Sequence, residues 1–312
     1  MDSLLISLNA VAPLFLFLAL GYLLRRWELL DSSAISRVSR LTHYVFLPAL
    51  LFQNIVDSGL AQGLPWGLVL IAAASSTLGC LLSVGLASLV EGDHPRRAAL
   101  AQGMFRNNYV TFGIAIATAI YGAGAAGLVS MLIACIVPLN NIYAVAELTV
   151  LRRQRLSFRR LMREIVANPF VIAAALGFAV ALLPWQLPAA LSTTLSGLSG
   201  AGIPLSMLML GASFTFTGLG GYARDIVVGV LTKLVLLPLC FIPIYLALGI
   251  RGESLLVLFV ALATPPAASS HVMAGQMGAD STLAGHLIVF GSAVSVVTLF
   301  AWLWLLKSLA FL

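Results

Sequence analysis

The stretch Phe105-Arg106-Asn107-Asn108-Tyr109 places a cation and two amides inside a run that is otherwise apolar enough to cross a membrane. An ionisable group at bilayer depth costs a few kcal/mol or more, and such residues mark pathways and binding sites. A second interruption, Ala263-Thr264-Pro265-Pro266-Ala267-Ala268, carries two prolines, which lack the backbone donor a continuing helix needs. Interrupted hydrophobic segments at corresponding places in two halves of a chain are the pattern of crossed, discontinuous helices around a transporter's binding site. The two breaks are therefore expected to meet, with Asn107 and Asn108 within about 8 Å of Pro265 or Pro266 near the bilayer midplane.

Composition supports a membrane setting for both breaks. The 312 residues are 61% hydrophobic and only 9% charged, with a mean hydropathy of +1.05, whereas soluble domains are near a quarter charged. Cut into apolar runs of roughly 17 to 25 residues, the length that crosses the hydrocarbon core, the chain gives about ten helices: an all-α membrane protein. The first run, from about Leu5 to Leu24, lacks a basic leader and a cleavage site, so it reads as a span and not a signal peptide. Pro48 is expected to kink the second span. Cys80, Cys135 and Cys240 lie in hydrophobic runs at no metal-ligand spacing and are expected to be small buried hydrophobes. Neither a metal nor a cofactor is expected, and the glycine-rich loop with its lysine that binds ATP is missing.

The net charge of +6 reports topology and not a nucleic-acid partner, because the arginines alternate between connections. Arg25, Arg26, Arg96, Arg97, Arg224 and the run Arg152, Arg153, Arg155, Arg159, Arg160, Arg163 occupy every second connection. By the positive-inside rule that side is cytoplasmic and both termini lie outside. The basic loop, residues 149–167, divides a first five-helix half (1–148) from a second (168–312). Ala19-Leu20-Gly21-Tyr22 returns as Ala175-Leu176-Gly177-Phe178, and Leu47-Pro48 returns as Ile203-Pro204 at the same offset; applied to Asn108 it lands on Thr264. Five spans per half is an odd number, so the copies are expected to be inverted repeats, with broken helices four and nine crossing.

A half-helix that restarts inside the membrane presents free N–H groups and the positive end of its dipole, which attract anions. Asn107 and Asn108 suit N-caps of a half-helix starting near Val110, and Pro265 or Pro266 suits the first turn of one starting near Ala267. The expected guest is a small organic anion, with Ser269 beside the second break in the binding set. Arg106 either complements the negative end of the preceding half-helix or pairs with a carboxylate of the guest. Asn140 and Asn141 need partners inside the fifth span, either a ligand or an interhelical bond. Lys233 is expected to snorkel to the cytoplasmic face, and His43, His271 and His286 to be hydrogen-bonded core residues. Of the acids, only Asp57 and Glu147 lie in spans, both near ends, which weighs against a carboxylate-built Na⁺ or H⁺ site. An exchanger of similar inverted-repeat fold is therefore the second reading. An intramembrane serine protease, drawn from Gly197-Leu198-Ser199-Gly200 with His286, is a remote third, since glycine and serine are common where membrane helices pack.

Arg106-Asn107-Asn108 followed by Gly113, Val137-Pro138-Leu139-Asn140-Asn141, Lys233-Leu234 with Pro238, and Pro265-Pro266-Ala267 resemble the bacterial auxin efflux carrier family, relatives of the plant PIN proteins. The resemblance runs nearly end to end. It implies ten spans, a scaffold of helices 1, 2, 6 and 7, a transport domain of helices 3–5 and 8–10 that moves as an elevator, a homodimer, and a place in the bacterial inner membrane. It also implies a small organic acid such as malate, malonate or an auxin-like acid as substrate, with Asn108, Asn141 and Pro265 or Pro266 at the family's site positions. Two departures stand out: Ala115 lies where many relatives have proline, and the long central loop of the plant carriers is replaced by the short basic one.

Overall fold

The computed structural model describes residues 2–57, 65–151, 162–163, 166–182, 187–214, 220–267 and 269–312. Most of the basic loop and residues 58–64 lie outside the described residues, so the sidedness read from the arginines stays an expectation. Among the described residues every regular element is helical. In chain order these are α1 (Asp2–Arg26), α2 (Ser32–Leu41), α3 (Leu47–Val56), α4 (Trp66–Val90), α5 (His94–Phe105), α6 (Ile114–Tyr121), α7 (Ala123–Leu151), α8 (Pro169–Leu182), α9 (Ala189–Ala212), α10 (Ala223–Leu231), α11 (Leu237–Ala247), α12 (Gly252–Ala263), α13 (Ser269–Gln276) and α14 (Ser281–Ser308). Among the described residues, six continuous helices are long and apolar enough to span a membrane: Leu4–Arg26, Trp66–Val90, Ala123–Leu151, Ala189–Ala212, Ala223–Ala247 and Ser281–Ser308.

Two prolines shape their helices in one way. A proline frees the carbonyl four residues before it, and a single wide turn absorbs the mismatch. Before Pro48, residues Thr42–Phe46 form a π-turn in which the Leu47 N–H reaches back five residues to the Thr42 carbonyl. Before Pro238, Thr232–Leu236 do the same, and the Leu237 N–H reaches the Thr232 carbonyl. The expected kink at Pro48 thus takes the form of a local widening.

The chain divides into two compact units. The first comprises Met1–Trp66, Val110–Val137 and Val166–Phe214. Its helices meet backbone to backbone: a Cβ on Gly21 of α1 would collide with the Leu208 carbonyl of α9, and one on Gly211 with the Leu18 carbonyl. Small residues allow this approach where lipid supplies no hydrophobic drive between helices. Gly177 of α8 plays the same part against α3, where a Cβ would lie 3.1 Å from Ile55 and 3.3 Å from the Phe52 carbonyl. Gly21 and Gly177, the glycines of the repeated tetrapeptide, are thus both helix-contact points. At the end of α9, Arg25 donates to the Ala212 carbonyl at 3.2 Å.

The second unit comprises Gly67–Tyr109, Pro138–Ile165 and Thr215–Leu312. It is cored by Leu100, Met104, Leu148, Leu234, Leu283 and Leu287, with Ala98, Ala99 and Ala101 letting α5 sit deep among them. One end of this unit is held by charge. Arg96 stacks on the Tyr222 ring at 4.3 Å and lies 3.9 Å from Asp225 and 3.8 Å from Asp280. Asp280 also accepts from the Tyr222 hydroxyl and caps α14 through the Leu283 N–H.

Several expectations are corrected here. Lys233 does not snorkel: its side chain is fully buried and Nζ donates to the Phe105 carbonyl at 3.1 Å. All three cysteines are free thiols, but only Cys80 is buried; Cys135 is half-buried and Cys240 exposed, as the apolar outer face of a membrane helix allows. His271 is exposed, with Nδ1 2.8 Å from the Ser281 carbonyl, while His43 packs edge-on against Phe170.

Candidate functional site

Both breaks lie in the second unit, and they have the same backbone shape for different reasons. Helices α5 and α12 are each 12 residues long, and each ends on a residue in extended conformation. That residue is Arg106 (φ −67°, ψ 141°) after α5 and Thr264 (φ −71°, ψ 150°) after α12. For Thr264 the cause is local, since a residue before proline is pushed out of the helical region. Arg106 precedes no proline, and its break is held by partners from elsewhere in the chain.

Those partners are the other break. Pro265 has no N–H to give the Ala261 carbonyl, and the Asn107 amide Nδ2 donates to that carbonyl instead. The Asn108 backbone N–H donates to the Pro265 carbonyl at 2.8 Å, and the Tyr109 hydroxyl to the Val257 carbonyl at 3.2 Å. The expected meeting of Asn107 and Asn108 with Pro265 is therefore a set of direct hydrogen bonds. Carbonyls at the end of α5 are served differently, Phe105 accepting from Lys233 and Gln102 from the Arg106 N–H at 3.0 Å.

The capping role expected for Asn107 is corrected by this geometry. Asn107 is a donor across the break, and the chain after Asn108 enters a π-turn, Tyr109–Gly113, before α6 begins at Ile114. Across the second break the helix resumes as α13 at Ser269. Pro266 packs against α14, where a Cβ on Gly291 would come within 2.6 Å of its ring.

Arg106 occupies the centre of the polar set. Its guanidinium is buried and donates to Asn141 Oδ1 at 3.0 Å, to Ser269 Oγ at 3.1 Å and to the Met273 sulfur at 3.3 Å. The Gln102 amide also donates to that sulfur, at 3.3 Å. Ser269 is the first residue of α13, so Arg106 adds a cation beside the positive end of a helix dipole. Nearby, Thr264 Oγ1, Ser270 Oγ and Gln102 Oε1 are buried without a hydrogen-bond partner among the described residues. Of the candidate residues, Arg106, Asn141 and Ser269 converge directly, and Asn107, Asn108 and Pro265 join through the crossing. Asn140 turns instead to α4, where its Oδ1 accepts from Ser76 Oγ.

Sequence reading missed Met273, Gln102 and the true place of Lys233. Gln102 stands four residues before Arg106, one turn away on the same face of the chain, and that spacing was the available signal. A methionine acceptor has no sequence mark. The first unit holds a separate cavity of about 480 Å³, lined by Leu14, Phe17, Asn54, Thr118, Ser199 and Pro204 among others. There Ser199 Oγ donates to the Ser196 carbonyl of its own helix at 3.0 Å, and in the second unit His286 lies against the Tyr222 and Phe290 rings.

Helices of spanning length and an apolar bundle with a polar site at interrupted helices define the class of polytopic membrane transporters. The chain belongs to the Membrane transport protein family, which it matches over residues 6–157 and 145–303. This is the auxin efflux carrier grouping that the motifs resemble. It is also similar to an uncharacterized transporter of Methanothermobacter thermautotrophicus, 26% identical over 308 residues that cover 95% of this chain and 97% of that one.

Proposed function

We propose that the chain is a secondary transporter that carries a small organic anion, a carboxylate of the malate, malonate or auxin-like kind, by alternating access. One observation carries this reading. The Arg106 guanidinium is held at the N-terminus of α13, bonded to Ser269 and Asn141, with unpartnered buried oxygens beside it. Two positive features at one place repel each other unless an anion joins them, and an anion is the guest that both helix dipole and guanidinium favour. The bond from Asn108 to Pro265 comes from its backbone, and in this reading its side-chain amide is a contact for the guest.

The matched pair of 12-residue helices with extended ends supports an inverted repeat. In this reading the second unit carries the site and moves, elevator-like, while α1, α2, α3, α8 and α9 form the scaffold. Val110–Val137 groups with the first unit, so the dividing line runs through the broken fourth span and through α7. The reading also includes a homodimer in the bacterial inner membrane with both termini outside. Transport runs on gradients, since the chain carries no ATP-binding loop motif.

The test is a thermal-shift screen of organic acids and matched neutral and cationic compounds on purified protein. Specific ligands raise the melting temperature by mass action, and the expected hits are carboxylates that fail on Arg106→Gln. Preferential stabilisation by a neutral or cationic compound overturns the reading.

A further inference from the structure

All the arginines of the first unit lie between residues 25 and 40, where α1 ends and α2 begins: Arg25, Arg26, Arg37 and Arg40. One of them is part of the fold. Arg25 donates to the Ala212 carbonyl at 3.2 Å and to Ser32 Oγ at 3.3 Å, which ties the start of α2 to the ends of α1 and α9. The turn between α1 and α2 is closed by its own backbone, with Glu28 at φ 58° and the Glu28 and Leu29 N–H groups donating to the Arg25 and Leu24 carbonyls at 3.0 Å. Arg26, Arg37 and Arg40, in contrast, are exposed, with neither a hydrogen bond nor an ion pair among the described residues. Nothing on α2 offsets the last two. The positions one turn from either of them hold Ser33, Ala34, Ser36, His43 and Tyr44, and Asp31 is engaged as the cap of Ala34. Two like charges a turn apart on one helix disfavour each other.

The outer face of this helix changes character along its length. Its inner side is set by Ile35 and Thr42, both buried. On the outside Arg37 and Arg40 lead directly into an apolar strip on the same continuous helix, where Leu41 is 48% and Tyr44 61% exposed and Val45 lies beside them. At 1.5 Å per residue, Arg37 and Tyr44 are about 10 Å apart along the axis, well within the roughly 15 Å depth of half a hydrocarbon core. Cations at one end of such a strip and bare apolar side chains at the other match the head-to-tail order of a lipid molecule. Guanidinium groups suit phosphate oxygens in particular, and basic clusters where a helix leaves the bilayer attract anionic headgroups. The inverted repeat does not require the pair: at the offset that carries Pro48 onto Pro204, Arg37 and Arg40 fall on Thr193 and Ser196. We infer that the outer face of α2 is a binding site for an anionic phospholipid, with the headgroup phosphate on Arg37 and Arg40 and an acyl chain along Leu41, Tyr44 and Val45.

The test is native mass spectrometry of the purified protein in a nonionic detergent, titrated with dioleoylphosphatidylglycerol and with dioleoylphosphatidylcholine. Wild type is expected to retain the anionic lipid with about tenfold or greater preference. An arginine at an anionic lipid surface is worth about fivefold in affinity, so Arg37→Gln/Arg40→Gln is expected to bind phosphatidylglycerol roughly twentyfold more weakly and phosphatidylcholine as before. Arg163→Gln/Arg224→Gln removes the same charge from exposed arginines of the second unit and is expected to bind phosphatidylglycerol like wild type. Inorganic phosphate in large excess is expected to leave the lipid in place. Equal retention of the two lipids by wild type overturns the inference without any variant. So does an equal loss in the two double variants, which would make the preference a matter of net charge, and so does displacement by inorganic phosphate, which would leave an anion site with no place for a chain.

Discussion

The breaks after α5 and after α12 share a backbone and divide the chemistry between them. The later one is a proline break: Thr264 is forced into extended conformation by Pro265, and the Ala261 carbonyl is orphaned by the missing proline N–H. Its two prolines offer carbonyl acceptors and no N–H donors. The earlier break has no proline and is rich in donors, which it delivers from Asn107, the Asn108 backbone and the Tyr109 hydroxyl to Ala261, Pro265 and Val257. Neither break is satisfied alone at low dielectric, where an unpaired backbone group costs several kcal/mol. Each is the other's solvent, and the Arg106 guanidinium, which takes no part in those crossing bonds, is set beside the start of α13.

Removing the Arg106 guanidinium should have the largest effect. Arg106→Gln takes away charge-assisted bonds worth about 1.5–3 kcal/mol, so a carboxylate found in the screen should bind roughly ten- to a hundredfold more weakly. Equal affinity in isothermal titration would show that the asymmetry between the breaks has no part in binding. Next in size is Asn107→Ala, which leaves the Ala261 carbonyl buried without its donor. It should destabilise by about 1–3 kcal/mol, read as a lower melting temperature without ligand, and Asn107→Ser, which keeps a donor, should recover part of the loss.

Asn108→Ala sharpens the comparison, because the bond to Pro265 comes from the backbone and survives the change. The melting temperature should hardly move, while affinity falls about tenfold, close to 1.4 kcal/mol for one lost ligand bond. Asn108→Asp should bind worse still, since a carboxylate repels the anion. Smallest should be Pro265→Ala. The acceptor at residue 265 remains and the crossing still holds Thr264 extended, so the change should cost under about 1 kcal/mol, mostly by loosening the unfolded chain. A large drop in melting temperature for Pro265→Ala would mean that the proline, and not the crossing, maintains the second break.

Much of the architecture was legible in residue order. Alternating apolar runs marked the helices closely, as at Trp66–Val90, because crossing length and hydropathy are local properties of a chain. The second break was legible too, since a Pro-Pro pair acts through its own backbone. What no local rule supplies is the partner of each polar group. In the sequence alone, Lys233 reads as a lysine that snorkels. It turns inward because the end of α5 leaves a carbonyl at Phe105 that a long side chain on a neighbouring helix reaches. Asn140 and Asn141 were equivalent amides in the sequence, and on successive residues of α7 they point about 100° apart, one to Ser76 and the other to Arg106.

The sequence by itself determined a polytopic helical protein, the place of both interruptions and the family to which they belong, because these follow from hydropathy, proline chemistry and motif. Only the tertiary structure decided that Asn107 replaces the proline's missing N–H, that Met273 receives Gln102 and Arg106, and that Glu147 is buried with neither oxygen hydrogen-bonded among the described residues. The physical reason is the same throughout. In a medium with few competing hydrogen bonds a polar group is defined by whichever partner reaches it, and reach is a property of packed helices, not of neighbours in the chain.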